Sequence, residues 1–476
     1  MNPVFSRTKI IATLGPASSS YEMLKKLVEK GVDVFRLNFS HGKHEEHAEV
    51  YRRIDELRKN ENIDIAVLAD LQGPKLRVGE MENNGVMLED GAEFSFVTEK
   101  CIGTKSMAYM TYQRFPQDVQ PGEEIMIDDG KLKLKVIDTN RTDTVKCVVV
   151  NGGILSSKKG VNLPDTKVSL PSLTDKDKED LVFALGLGVD WVALSFVRSV
   201  TDIVEIKEFI KKQKKHAFVI AKIEKPEALK EIDNIIDMTD AIMVARGDLG
   251  VEMPYHEVPV IQKHIVEKCV AVSKPVIIAT QMMESMITSF RPTRAEATDV
   301  ANAVVEGADC LMLSGETSVG KYPSETIESM DKIISNVEET AYQYFRSEAP
   351  SGMSPTFLTD SICYNACKLA EQSGAKAIIT FSHSGYTAFK ISGYRPKASI
   401  IVFTANKELI PRLALVWGIR AFYMESLTNI DEAIEKTLKI TEEKGLINSG
   451  DIVIHTGSAP LHKRGQTNML KISYVK

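Results

Sequence analysis

The chain has 476 residues, 43% hydrophobic and 26% charged, with a formal net charge of -6 and an isoelectric point near 6.0. That length fits about three domains rather than one core, and the composition excludes a disordered class. The mildly acidic balance excludes nucleic-acid or anionic-membrane binding through a basic face, and no apolar run approaches the roughly 20 residues of a membrane helix or forms a signal core after Met1, so a cytoplasmic location is expected.

From Arg7 to about Arg346, short apolar runs alternate with longer amphipathic segments, the pattern of βα units on a parallel sheet. Eight strands are predicted, at 9–14, 32–39, 65–71, 191–197, 218–224, 241–245, 275–280 and 310–314. Each is short and rich in Val, Ile, Leu and Ala, as a strand buried on both faces requires. Helices are predicted at 22–30, 44–59, 176–187, 202–213, 227–238, 257–272, 294–306 and 325–345, with Gly31 stopping the first. Eight such units make a (β/α)8 barrel, whose chemistry lies at the carboxyl ends of its strands.

The alternation breaks after Leu71 for about 100 residues, which carry Gly-punctuated, strand-biased runs such as 93–97 and 133–137. They predict a small β-barrel domain over 72–171, inserted between the third strand and its helix and placed as a lid over the carboxyl-end face. The catalytic barrel then comprises 1–71 and 172–346. Loop composition at 347–355 introduces a third, α/β domain over 347–476, with strands at 377–381, 399–403 and 451–455. The six cysteines, at 101, 147, 269, 310, 363 and 367, include no Cys-x-x-Cys pair and read as reduced, packed thiols.

Lys222 and Glu224 stand two residues apart in the apolar run 217–224, so both side chains leave one face of a strand. That placement is costly unless they form a buried ion pair or serve chemistry. Repetition along the chain favours chemistry. Strand ends also supply Arg36, Asn38, Ser40, Asp70, Asp248, Thr280, Ser314 and Glu316, which a barrel would gather at one mouth. Glu224 and Asp248 suit Mg2+, which takes oxygen donors and often one or two carboxylates plus water and phosphate oxygens; no histidine cluster suggests zinc. Lys222 offers direct charge to an enolate or a bridging phosphate oxygen, and Arg36 suits phosphate. Oxygens of Asn38 and Ser40 with Asp70 offer an alternative, monovalent-cation site.

Several stretches, in this order, resemble pyruvate kinase. They are Lys9-Ile-Ile-Ala-Thr-Leu-Gly-Pro16, Arg36-Leu-Asn-Phe-Ser-His-Gly42, Asp70-Leu-Gln-Gly-Pro-Lys-Leu-Arg77, Lys158-Lys-Gly-Val-Asn-Leu-Pro164, Ala221-Lys-Ile-Glu224, Met243-Val-Ala-Arg-Gly-Asp-Leu-Gly250, Ala279-Thr-Gln-Met282, Arg291-Pro-Thr-Arg-Ala-Glu296 and Met312-Leu-Ser-Gly-Glu-Thr317. The resemblance covers essentially the whole chain and implies phosphoryl transfer from phosphoenolpyruvate to ADP, giving pyruvate and ATP in glycolysis, by a homotetramer. It implies that Arg36 and Lys222 hold the transferring group, that Lys222 stabilises the enolate, and that Glu224 and Asp248 carry Mg2+, or Mn2+, while a second ion arrives with the nucleotide. Main-chain groups of Gly247 and Asp248 and the Thr280 hydroxyl would orient the substrate carboxylate, with a proton relayed by water through Ser314 and Glu316. Asn38, His41, Arg77 and Lys159 would contact nucleotide phosphates.

The family's potassium cage would fall on Asn38, Ser40, Asp70 and the Leu71 carbonyl. Potassium-activated members resemble Asp-Thr-Lys-Gly-Pro-Glu at the third strand, whereas this chain has Leu71, Gln72 and Lys75 at the Thr, Lys and Glu positions. The Lys75 ammonium would stand in for the ion, so K+ is not required; a solvated hinge lysine is the alternative. The turn Ser382-His-Ser-Gly-Tyr-Thr387 resembles the family's effector loop, where Ser382, Ser384, Gly385 and Thr387 would meet the phosphate of a sugar phosphate or AMP; an ordinary loop reads as well. Two other classes share parts of the pattern: a Mg2+-dependent aldolase or lyase, and a noncatalytic metabolite sensor. The first needs no lid, Arg77 or Lys159, and the second would tolerate loss of Lys222, Glu224, Asp248 and Thr280.

Overall fold

Strands apolar on both faces have to be covered on both, and here they close on themselves. The computed structural model describes residues 5–345, 349–352, 354–425, 429–460 and 467–476. Eight strands form a closed parallel barrel: β1 (Lys9–Thr13), β2 (Val34–Asn38), β3 (Ala66–Asp70), β4 (Trp191–Leu194), β5 (Phe218–Ile223), β6 (Ala241–Ala245), β7 (Val276–Ala279) and β8 (Cys310–Leu313), with β1 paired to both β2 and β8. Alternation splits each strand. Ile11, Val34, Leu68, Ala193, Ile220, Met243 and Ile277 share the interior cluster, whereas Ile10, Phe35, Val67, Val192 and Ile242 pack with the surrounding helices.

Two predicted helices differ from those observed. The run 227–238 is broken into Pro226–Lys230 and Ile232–Met238 by Glu231, whose φ of -117° and ψ of 19° leave the helical region. The last barrel helix, Pro323–Thr340, ends before 345, because the chain turns to stack Tyr342 on Trp417 with ring centroids 5.6 Å apart.

The insert is a seven-stranded sheet curled as a half-barrel, in the order Leu76–Arg77, Gly160–Asn162, Glu124–Ile127, Leu132–Thr139, Thr144–Asn151, Glu93–Val97 and Met107–Tyr109; a two-stranded pair, Gly85–Leu88 with Gly153–Ser156, accompanies it. Phe94, Phe96, Phe115, Ile125 and Leu134 belong to a hydrophobic core of its own. The third domain is a five-stranded mixed sheet, with Ile419–Tyr423, Ser399–Thr404, Ala377–Phe381 and Ile452–Gly457 parallel and Met469–Tyr474 antiparallel at one edge. The expected boundary at 346–347 lies outside the described residues. Leu415 joins the barrel-interior cluster, Trp191 Nε1 at the start of β4 donates to the Arg412 carbonyl at 3.2 Å, and Cys310 Sγ at the start of β8 donates to the Leu415 carbonyl at 3.0 Å. The third domain therefore caps the amino end of the barrel, which leaves the carboxyl end for the site. Among the described residues no helix is long and apolar enough to cross a membrane.

His455, in strand Ile452–Gly457, is fully buried, and among the described residues neither ring nitrogen has a hydrogen-bond partner. Burial pushes its pKa from 6.5 down to about 4, aided by the charge of Lys471. A histidine held neutral in the fold takes up its proton on unfolding, so stability should fall as pH drops through 6.5 and level off below 4. Relative to neutral pH the loss is about 2 kcal/mol at pH ~5. Urea midpoints at neutral and acid pH check this: His455→Leu should flatten the difference, and an equally steep decline in the variant counts against it.

Candidate active site

Arg36 in β2 is buried and donates from Nε to Asp70 Oδ2 at 2.7 Å and from Nη1 to Thr13 Oγ1 at 2.8 Å. Asp70 ends β3, and its second oxygen, Oδ1, lies 3.2 Å from Lys222 Nζ, a charge contact set off the hydrogen-bond direction. Lys222, in β5, meets Glu224 Oε1 at 2.8 Å and donates to Ser195 Oγ at 2.8 Å. Ser195 Oγ in turn donates to the Leu71 carbonyl at 2.7 Å, and Glu224 Oε2 accepts the Phe196 N–H at 2.7 Å. Arg36, Asp70, Lys222 and Glu224 thus form one row of alternating charge across the barrel mouth. Sequence alternation placed Lys222 and Glu224 together; Thr13 and Ser195 were missed, although both stand at the carboxyl ends of predicted strands.

The row sets its own titration. Burial disfavours the Lys222 charge, but Asp70 and Glu224 outweigh it and hold the ammonium above the usual lysine range. Burial likewise opposes ionisation of Asp70, and Lys222 with Arg36 wins, keeping its carboxyl below the ordinary value. Glu224 goes the other way: burial pushes it up, Asp248 adds to the rise, and Lys222 offsets only part. Among the described residues no group of three His, Cys, Asp or Glu side chains has metal-holding geometry. A donor set of two carboxylates suits an ion that fills its shell with water and substrate oxygens, as Mg2+ or Mn2+ does, and not structural zinc.

Thr280 follows β7 with φ +69°, and Gln281 has φ +55°. A β-branched residue in that region is strained, so neighbours must hold it. Thr280 Oγ1 accepts the Gly247 N–H at 2.7 Å and donates to the Ala279 carbonyl at 2.6 Å. Arg246, unremarked in the sequence, clamps the turn from Nη2 to the Thr280 carbonyl at 2.7 Å and is itself fixed by Asp299 at 2.8 Å. A Cβ on Gly247 would come within 3.3 Å of Thr280 Oγ1, so glycine permits the close approach of helix Arg246–Glu252, which also carries Asp248. Glu316 is buried with its oxygens on backbone donors, Oε2 on Ser314 N–H at 2.7 Å and Oε1 on Met283 N–H at 3.2 Å.

Burial together with the charges of Arg77, Lys75 and Arg36 holds His41 below the usual histidine pKa. Arg77 ends the lid strand Leu76–Arg77 and Lys159 directly precedes its partner strand Gly160–Asn162; Arg77 Nη1 donates to the Lys158 carbonyl at 3.0 Å, and Lys159 Nζ lies 2.8 Å from Asp128 Oδ1. Asn38 Oδ1 accepts the Ser40 N–H at 3.1 Å. Lys75 lines a cleft between lid and barrel together with Phe196, Lys225, Asp248 and Glu252. Ser382, Ser384, Gly385 and Thr387 lie apart in the third domain. Ser382 Oγ accepts the Gly385 N–H at 3.0 Å, Ser384 Oγ lies at 3.5 Å from the Tyr386 N–H, and the Thr387 and Thr467 hydroxyls share a hydrogen bond at 2.6 Å.

A parallel barrel whose carboxyl-end mouth joins arginine, lysine and paired carboxylates beside an inserted β domain defines an enzyme that handles a phosphorylated substrate with a divalent cation. Residues 5–327 match the family description "Pyruvate kinase, barrel domain" and residues 360–473 match "Pyruvate kinase, alpha/beta domain". The chain belongs to the pyruvate kinase family. It is 41% identical over 472 residues to the pyruvate kinase of Geobacillus stearothermophilus, covering 98% of this chain and 80% of that one, and 42% identical over 469 residues to that of Mycobacterium intracellulare, covering 98% of each. A crystal structure of a pyruvate kinase from Cryptosporidium parvum superimposes with a TM-score of 0.92 at 36% identity, over 99% of this chain and 96% of that chain.

Proposed function

We propose that the mouth of the barrel transfers the phosphoryl group of phosphoenolpyruvate to ADP, with Lys222 as the charge that stabilises the transferring group and the enolate left behind. The observation that carries the assignment of roles is the buried row in which Lys222 is fixed between Asp70, Glu224 and Ser195. Arg36, anchored on Asp70 and Thr13, presents its remaining guanidinium edge to phosphate. The Gly247 and Asp248 backbone and the Thr280 hydroxyl orient the substrate carboxylate; since that hydroxyl is already tied to Gly247 and Ala279, it positions rather than protonates. Glu316, held by backbone N–H groups, orients Ser314 and through it the water that delivers the proton. Mg2+ on Glu224 and Asp248 would supply charge neutralisation for phosphoryl and enolate oxygens. Asn38, His41, Arg77 and Lys159 receive the nucleotide phosphates, Lys159 exchanging its Asp128 partner for them.

The working division is a barrel of 1–71 and 172–346, a lid of 72–171 and an effector-carrying domain from 347, in a cytoplasmic homotetramer. A sugar phosphate or AMP would bind at Ser382, Ser384, Gly385 and Thr387, and a flat velocity response to both classes refutes that assignment. The assay that tests the main reading is ADP-dependent pyruvate formation from phosphoenolpyruvate.

The same assay tests the cation requirement. Three of the four residues of the proposed potassium cage already have protein partners on their oxygens: Asn38 Oδ1 accepts the Ser40 N–H, Asp70 meets Arg36 and Lys222, and the Leu71 carbonyl accepts from Ser195. Together with the Lys75 ammonium this favours turnover without a monovalent ion. Omitting K+ from a Mg2+ buffer should change kcat by less than about threefold, while Lys75→Glu should make it K+-dependent by about tenfold. Strong potassium activation of the unaltered chain would return Lys75 to the role of a solvated hinge residue.

A further inference from the structure

We propose that Glu252 is a positioning residue that locks the lid and both cation-binding carboxylates into one register. Glu252 ends helix Arg246–Glu252 and is 3% exposed. Its Oε1 accepts a hydrogen bond from Asn162 Nδ2 at 2.8 Å, and its Oε2 lies 2.7 Å from Lys225 Nζ, a charge contact off the hydrogen-bond direction in a pair almost wholly removed from solvent. Each partner belongs to a different part of the machinery. Asn162 ends the lid strand Gly160–Asn162, just past Lys159; Lys225 directly follows Glu224; and Glu252 stands one helical turn after Asp248, on the same side of the helix. One carboxylate therefore ties the end of β5, the helix after β6 and the hinge of the lid to a common point.

Burial makes the contact consequential. An ionised glutamate out of water is tolerated only when it is paired or hydrogen-bonded, and opening the lid would take from Glu252 its one side-chain hydrogen bond while leaving the Lys225 charge. The closed lid is favoured by that difference, and the position of Lys159 over the barrel mouth follows the position of Asn162. Asn162 and Glu252 act through Lys159, Glu224 and Asp248.

A swap of the two groups tests this on the full-length enzyme. Asn162→Asp sets two carboxylates face to face and should lower kcat/KM for ADP at least tenfold, chiefly through KM. Adding Glu252→Gln to that chain restores a donor opposite an acceptor and should bring kcat/KM back to within about threefold of the unaltered enzyme. Glu252→Gln alone keeps the contact to Asn162 but removes the charge facing Lys225, and should raise the Mg2+ concentration for half-maximal rate several-fold. A double variant as impaired as the product of its singles overturns the proposal, as does an unchanged KM for ADP in Asn162→Asp. Where the Glu252 variants fail to fold, Asn162→Ala carries the test, and an unchanged KM for ADP in that variant overturns it equally. The inference rests on Glu224 and Asp248 holding the cation, and the two failures look different. If that assignment is wrong, Glu224→Gln keeps an ordinary Mg2+ response; if only the positioning role is wrong, Glu224→Gln loses the response while the swap goes unrescued.

Discussion

Replacing Lys222 by methionine is expected to lower kcat for pyruvate formation by about a thousandfold while the protein folds and still binds its divalent cation. Methionine preserves the length and apolar stem of the side chain and removes only the charge. Opposite unit charges about 4 Å apart at an effective dielectric near 20 attract by about 4 kcal/mol, and a barrier raised by that amount slows a reaction about a thousandfold. The loss should fall on kcat more than on KM, because negative charge on the enolate and the bridging oxygen grows only as the bond to phosphorus breaks. Contacts to Asp70, Glu224 and Ser195 fix the ammonium in advance, so little reorganisation accompanies the reaction. Its raised pKa, the outcome of those carboxylates outweighing burial, also means that Lys222 stays protonated through neutral and mildly alkaline pH and contributes no titration there. Coupled assays of pyruvate formation, with Mn2+ binding followed by electron spin resonance, separate the roles. A kcat within tenfold of the parent value removes Lys222 from the chemistry; activity lost in proportion to metal binding makes it a structural partner of Glu224.

The barrel is legible in the sequence because its strands must be apolar on both faces, and eight such short runs alternate with longer amphipathic segments between 7 and 346. Predicted strands overrun the observed ones at Leu14, Phe39, Leu71, Val197, Glu224, Thr280 and Ser314, in most cases because apolar or small residues continue past the last ladder hydrogen bond. The charged half of the site is legible for a related reason: Arg36, Asp70, Lys222 and Glu224 are expensive to bury, so their position at strand ends already signals partners. Uncharged partners carry no such signal. Thr13 and Ser195 could each have been an ordinary strand-end hydroxyl, and only the fold brings them to Arg36 and Lys222. Backbone strain is hidden as well, because a threonine after an apolar run reads as extended, while Thr280 takes a left-handed turn held by Arg246 and Gly247. The links between Lys159 and Asp128, or Glu252 and Asn162, join segments far apart along the chain, which local periodicity does not report.

The largest loss of stability is expected from Arg395→Met, at about 3–5 kcal/mol. Arg395 belongs to the third domain and is 2% exposed; its Nη1 and Nη2 meet the two oxygens of Asp309 at 2.9 and 3.0 Å, Nη2 also reaches the Gly307 carbonyl at 2.8 Å, and its guanidinium lies 4.9 Å from the centre of the Trp417 ring. Asp309 additionally accepts the N–H groups of Val276 at 3.0 Å and Trp417 at 3.3 Å. Methionine fills much of the same space, so the penalty is chiefly that of a carboxylate left buried without its counter-charge. Removing that charge too should relieve it: Arg395→Met with Asp309→Asn is expected to be more stable than Arg395→Met alone, a coupling that equilibrium unfolding in urea measures directly. A single-variant loss below about 1 kcal/mol, or strict additivity, contradicts the argument. The geometry also bounds the functional consequence. Val276 and Cys310 begin the strands whose far ends carry Thr280 and Ser314, so Asp309 supports β7 and β8 from beneath. Because those strands are held on both sides by barrel neighbours, the folded fraction of the Arg395 variant should retain a KM for phosphoenolpyruvate within about threefold of the parent, with activity lost as unfolding proceeds.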